Sequence, residues 1–349
     1  MYKAQLDGFR GMLFLAVFTY HHNVTLWILT YALPCFFVMS GFLITRILLR
    51  GDLQTQEGFM KAFYIRRAIR ILPVFYVVTL ACWFFGILLF PLSQFTYTFN
   101  IHLFWLSLDR DGSGFHEVFK NWDFGQMHLW SMCIEEQFYL LYPILLLKTK
   151  KSWRAQVLFL SIIASVALRL WFQVNHPELL CGALLPICGE YILWGCLASV
   201  LTEKGLRFGP ASAWLYGGSA LLLILAQSPA PHMETGFFQF IPGKMQTLFA
   251  IGIMATIVGL WFDDDSLLSR FLQLRPIAYM GKISYGLYLM HMAMFDLGDW
   301  LYEQYPTLSN FNDYTVRLIL VLLFGTVSWY LLEAPINRLK KHFPMPYSS

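Results

Sequence analysis

Apolar runs of roughly 20 residues recur along the chain, each closed by a short polar or basic interval. A helix that crosses the hydrocarbon core needs about 20 mostly apolar residues. Ten stretches meet that need: 9–29, 31–49, 71–91, 128–147, 155–174, 183–201, 212–227, 245–262, 283–302 and 314–333. They leave almost nothing for a soluble domain, so residues 1–349 are expected to form a single transmembrane domain with no appended soluble unit. The predicted fold class is all-α, a polytopic membrane bundle of about ten helices. The longest polar interval, 92–127, has an apolar middle from Phe99 to Leu108 that suits an eleventh span or a re-entrant piece.

Charge placement chooses between these counts, because basic clusters beside spans favour the cytoplasm. The clusters are Lys3 and Arg10; Arg46 to Arg70; Lys148, Lys150, Lys151 and Arg154; Lys204 and Arg207; Arg270, Arg275 and Lys282; and Arg338, Lys340 and Lys341. With ten spans and a cytoplasmic N-terminus, every cluster falls inside. The intervals near 92–127, 175–182, 228–244 and 303–313 fall outside and are poor in Lys and Arg. An extra crossing at 99–108 would invert everything after it. Ten spans with both termini cytoplasmic is therefore the expectation.

Composition supports a lipid setting. Charged residues make up 13% of the chain, about half the ~25% usual in soluble domains, too few to cover a soluble surface. The same numbers exclude a disordered, collagenous or disulfide-stapled chain. The net charge of +4 is too small to signal nucleic acid, so the bilayer is the expected partner. The first apolar stretch contains Arg10, His21 and His22 and lacks the marks of a cleavable signal peptide. The six cysteines lie in or beside apolar stretches without a metal or disulfide spacing, so no metal site is expected.

Ionisable groups within spans are costly and usually functional. Arg10 and His21, eleven residues apart, share one face of a helix about 16 Å apart along its axis, while His22 points about 100° away. A snorkelling arginine and an interhelical hydrogen bond would be the structural alternative. Arg66, Arg67 and Arg70 precede the third predicted span. They satisfy the positive-inside rule, and they can also form an anion clamp, because arginine forks suit phosphates. His128 and Glu135 share a face about 10 Å apart. Two adjacent carboxyls, Glu135 and Glu136, are hard to explain as packing. Ser284 and His291 share another face, an arrangement more often polar glue than a hydrolytic pair. Glu333, before Pro335, can be a simple helix terminus.

Five segments together resemble the acyltransferase-3 family of integral membrane O-acyltransferases, over nearly the whole chain. They are Arg10 with ten residues before His21; Phe36-Phe37-Val38-Met39-Ser40-Gly41-Phe42-Leu43-Ile44; the Arg67 to Arg70 segment; His128-Leu129-Trp130-Ser131 with Glu135-Glu136-Gln137-Phe138-Tyr139; and Ile283-Ser284-Tyr285-Gly286-Leu287-Tyr288 with His291. The resemblance implies transfer of an acyl group, usually acetyl from acetyl-CoA, to a hydroxyl of an extracytoplasmic carbohydrate or glycolipid. It implies no bound cofactor, acyl-CoA being the donor substrate, and a multi-pass protein of the bacterial inner membrane. It ties Arg10 and His21 to activity and Arg67 and Arg70 to the donor.

On this reading His21 is a general base, with Glu135 or Glu136 orienting an imidazole or binding sugar hydroxyls. Arg10, Arg67, Arg70, His128, Ser131 and His291 are the substrate-binding set. Trp122, Trp130 and Tyr139 can stack on a sugar ring. Direct transfer and transfer through an acylated His21 both remain open. The competing class is a proton-coupled transporter of a glycan, lipid or small anion, which membrane-embedded Arg, His and Glu also suit.

Overall fold

A computed structural model of the chain describes residues 3–23, 27–51, 58–108, 126–176, 179–209, 217–219 and 243–345. Among the described residues every regular element is helical. The helices are α1 (Ala4–His22), α2 (Ala32–Arg50), α3 (Phe59–Phe84), α4 (Pro91–Phe95), α5 (Phe99–Ser107), α6 (Leu129–Lys148), α7 (Arg154–Asn175), α8 (Leu185–Glu203), α9 (Gly243–Phe262), α10 (Leu267–Leu272), α11 (Arg275–Lys282), α12 (Ser284–Gln304), α13 (Asp313–Ser328) and α14 (Ala334–Asn337). A π-helical turn, Trp329–Glu333, joins the last two.

Among the described residues five stretches are long and apolar enough to cross a membrane: Leu29–Arg50, Phe59–Phe84, Lys151–Asn175, Leu185–Glu203 and Asp313–His342. α1, α6 and α12 have the length, at 19, 20 and 21 residues. Their apolarity is diluted by Asp7 and Arg10, by Glu135 and Glu136, and by Asp296, Asp299 and Glu303. The predicted span at 212–227 lies outside the described residues. Phe99–Ser107 forms a nine-residue helix, about 14 Å long and too short to cross the core.

The third span differs most from its prediction. α3 begins at Phe59 rather than near residue 71, so the arginines are part of the helix and do not precede it. Charges at Arg66, Arg67 and Arg70 break the apolar pattern without breaking the helix, because the bundle gives them partners and a cavity.

Packing is closest where glycines face backbone. α2 lies most extensively against α8, and α1 against α11. A Cβ on Gly41 would fall on the Ile192 carbonyl, and one on Gly195 on the Val38 carbonyl. Small residues permit such approaches between helices in a bilayer. At the start of α1, Gln5 donates to the carbonyls of Leu260 (3.0 Å) and Asp263 (3.1 Å) and to Asp264 (2.7 Å). Lys3 pairs with Asp264 at 2.7 Å. The Lys3 ammonium and the Gln5 amide hold the Asp264 carboxyl below the usual range.

α7, α8 and α9 share a buried ion pair absent from the predicted sites. Arg169 donates to Glu190 at 2.8 and 3.1 Å, and Thr247 donates to the same carboxylate at 2.7 Å. Removing one partner of such a pair leaves an uncompensated charge, whereas replacing both by apolar groups is often neutral. Arg169→Leu is therefore expected to destabilise by about 3–5 kcal/mol. The double variant Arg169→Leu/Glu190→Leu should recover most of that loss, as read from thermal melting in detergent.

Candidate functional site

Three histidines from three helices meet at one level. His21 stands one residue from the end of α1, His128 immediately before α6, and His291 in the middle of α12. The His21 and His291 rings stack with centroids 4.9 Å apart. His128 meets His291 edge-on at 4.6 Å. Phe14 and Phe295 pack against His291, which is completely buried.

The hydrogen bonds settle which nitrogens carry protons. Nδ1 of His291 lies 2.6 Å from the Tyr288 carbonyl oxygen. A carbonyl only accepts, so that nitrogen is protonated and the neutral ring presents Nε2 as an acceptor. Nδ1 of His21 lies 2.7 Å from that Nε2 and donates to it. A neutral His21 that donates in this way carries its proton on Nδ1. The sequence placed His291 on the Ser284 face of its helix but could not show that its partner is His21, 270 residues away.

His128 is buried, yet neither ring nitrogen has a hydrogen-bond partner among the described residues. Its backbone carbonyl accepts from Ser131 at 3.0 Å and from Tyr288 at 3.3 Å, and the two hydroxyls lie 2.6 Å apart. Tyr288, one turn before His291, was not among the predicted site residues; its three-residue offset from that histidine was the signal.

Ser131 and Tyr288 also form the inner end of a cavity of about 540 Å³, a size typical of small-molecule sites. Arg10, Arg67, Arg70, Glu135 and Glu136 line it. The three imidazoles do not; they stand about one helical turn beyond, behind the Ser131–Tyr288 pair. Eight basic side chains face the cavity against four acidic ones, so its interior is cationic.

The arginines divide into two kinds. Arg67 lies flat on Tyr139, its guanidinium carbon 3.4 Å from the ring centre, and is 3.7 Å from Glu136. Arg10 and Arg70 make no hydrogen bond or ion pair among the described residues, although each feels the other's charge. Asp7 and Glu333 are near Arg70 without reaching ion-pair distance. Unpaired cations held together away from bulk water are costly unless an anion joins them.

The carboxylates do not orient an imidazole. Glu135 accepts from Ser40 at 2.7 Å and from Tyr139 at 3.3 Å, and Glu136 faces Arg67. Both belong to the cavity wall. Glu333 is not a bare helix end: it is buried, lines the cavity and lies 3.4 Å from the Ser328 hydroxyl. Gly286 leaves the room it occupies. Trp130 is buried, and Trp122 lies outside the described residues. Among the described residues no group of three or more His, Cys, Asp and Glu side chains can hold a metal ion.

His22 turns the other way, as its helical phase requires. Its Nε2 lies 2.9 Å from Asp313, which is bound in turn by Arg317 at 2.8 Å. Partly exposed pairs contribute about 0–1 kcal/mol. His22→Ala should therefore keep turnover within roughly fivefold of wild type; a loss matching that of His21→Ala would contradict the separation of the two faces.

Apolar helices around a polar, ionisable interior define a multi-pass membrane protein. The acyltransferase-3 family, described as an acyltransferase domain, matches residues 3–334, and the chain belongs to it. Among curated relatives it is 26% identical to O-acetyltransferase OatA of Staphylococcus aureus, with 97% of this chain aligned to 57% of that protein. It is 25% identical to peptidoglycan O-acetyltransferase OatA of Listeria monocytogenes, with 97% of this chain aligned to 56% of it. The chain thus spans a little over half the length of these relatives. No solved structure matches.

Proposed function

We propose that this protein is a membrane-embedded O-acetyltransferase of the bacterial plasma membrane, with both termini cytoplasmic. It moves acetyl from cytosolic acetyl-CoA to a hydroxyl of an extracytoplasmic carbohydrate. The observation that carries this reading is the hydrogen-bonded chain from the Tyr288 carbonyl through His291 to His21, set just beyond the inner end of a cationic cavity. The names of the relatives point to a cell-wall glycan as the acceptor class.

The donor enters from the cytosol, where Arg10 and Arg70 attract its phosphates and Arg67, braced by Tyr139 and Glu136, shapes the wall. Its thioester reaches the Ser131–Tyr288 level. The acceptor arrives from the opposite end, where α1 stops at His22 and Asn23 is exposed. His21 Nε2 takes the proton of the acceptor hydroxyl as its oxygen attacks the thioester carbon. His128, with unused ring nitrogens, offers an N–H to the developing oxyanion. The C–S bond then breaks, the ester forms, and the imidazolium returns its proton to the departing CoA thiolate.

Purified protein in lipid nanodiscs, given acetyl-CoA and wall glycan fragments, should release CoA thiol in step with ester formation. Glycan movement without thioester consumption would indicate a transporter instead. Arg70→Ala should raise the KM for acetyl-CoA about tenfold or more, the loss of one charged hydrogen-bond partner. If only the dependence on acceptor changed, Arg70 would not serve the donor.

A further inference from the structure

The cavity holds a second group of cations that the catalytic scheme does not use. Ser40, bonded to Glu135 at 2.7 Å, marks the level of Arg67 on α2. Arg46 and Arg50 follow it by six and ten residues, about 9 and 15 Å nearer the helix end. They are one turn apart, so they share a face, and both line the same cavity with Trp261 of α9.

Arg46 is preset for a ligand. Its guanidinium carbon lies 4.9 Å from the Trp261 ring centre, and Nη1 donates to Thr202 at 3.2 Å. Its Nε is buried without a partner among the described residues. Glu203 is near but exposed, and forms no ion pair with it. Lys3, on the same wall, is already matched by Asp264.

We propose that Arg46 and Arg50, with Trp261 fixing the first, form a subsite for the 3′-phosphorylated nucleotide end of a coenzyme A thioester. This rests on the donor reading above. From the thioester outward, such a donor presents its pantetheine arm, then the pyrophosphate, then the 3′-phosphorylated adenosine. A thioester at Ser131 and Tyr288 sets the pyrophosphate among Arg10 and Arg70. The 3′-phosphate then lies nearer the mouth, where α2 supplies these two cations. A phosphate monoester is dianionic and suits arginine forks. The subsite would select CoA thioesters over donors that share the pantetheine arm but lack this phosphate.

Acetyl-CoA and acetyl-dephospho-CoA, which differ only in the 3′-phosphate, separate the alternatives. Wild-type protein in nanodiscs should prefer acetyl-CoA in kcat/KM by about 10-fold or more, the worth of a charged hydrogen bond. Arg46→Ala should bring the two donors within about threefold of each other through KM, and Arg46→Lys should fall between. If Arg46→Ala fails to elute as a monodisperse species, Arg50→Ala supplies the same comparison. Undiminished preference in the folded variants overturns the subsite while leaving the donor reading intact. Failure of wild type to consume either thioester overturns the donor reading, and the subsite with it.

Discussion

His21→Ala is expected to abolish acetyl transfer while leaving insertion and yield unchanged. Positioned proton transfer contributes about 10²–10⁴ in rate, and on the proposed mechanism that contribution is lost with the His21 ring. The loss should fall on kcat, with the KM for acetyl-CoA nearly unaltered, because the proposed site for the donor's phosphates lies lower in the cavity. Thiol release in nanodiscs with wild-type and variant protein provides the measurement. Activity retained within tenfold would refute the assignment of the base.

His291→Ala should be nearly as severe, by about 10²-fold or more in kcat, although His291 only positions the base. Without it, Nδ1 of His21 loses its acceptor and the ring can adopt the wrong tautomer, the kind of defect that disables a catalytic histidine deprived of its orienting partner. His291→Gln supplies the discriminating test. Its amide oxygen can accept from Nδ1 of His21, so it should recover a substantial part of the rate that His291→Ala loses. A merely structural role would make the two variants equally poor, with matching losses of folded protein.

The apolar pattern read the helices well, because a bilayer forces each crossing to be continuous and long. Predicted boundaries at 31–49, 155–174 and 245–262 lie within a residue or two of α2, α7 and α9. The pattern failed at α3, where three arginines made a helical segment look like a polar approach to one. Helical phase separated His21 from His22 and placed His128 and Glu135 on one face. Phase says nothing about what a face meets. It could not show that His21 finds His291, that Glu136 finds Arg67, or that Arg169 and Glu190 pair in the interior. Tyr288 and Glu333 were quoted in the sequence without a role, because an aromatic beside a histidine and a carboxyl beside a proline have ordinary explanations until the cavity is seen.

The π-helical turn before α14 has a larger consequence than its five residues suggest. One additional residue in a helical turn advances everything after it by about 100° around the axis. Tyr330 and Leu331 stay exposed, while Glu333 rotates inward and becomes buried. The tail that follows is clasped to α3 by Arg66, which donates to the carbonyls of Lys340 and Phe343 at 2.8 and 3.0 Å. Asn337 and Lys340 are thereby set into the cavity wall. The segment after the turn thus forms part of the cavity wall, and a local irregularity in hydrogen bonding acts as the dial that aims it.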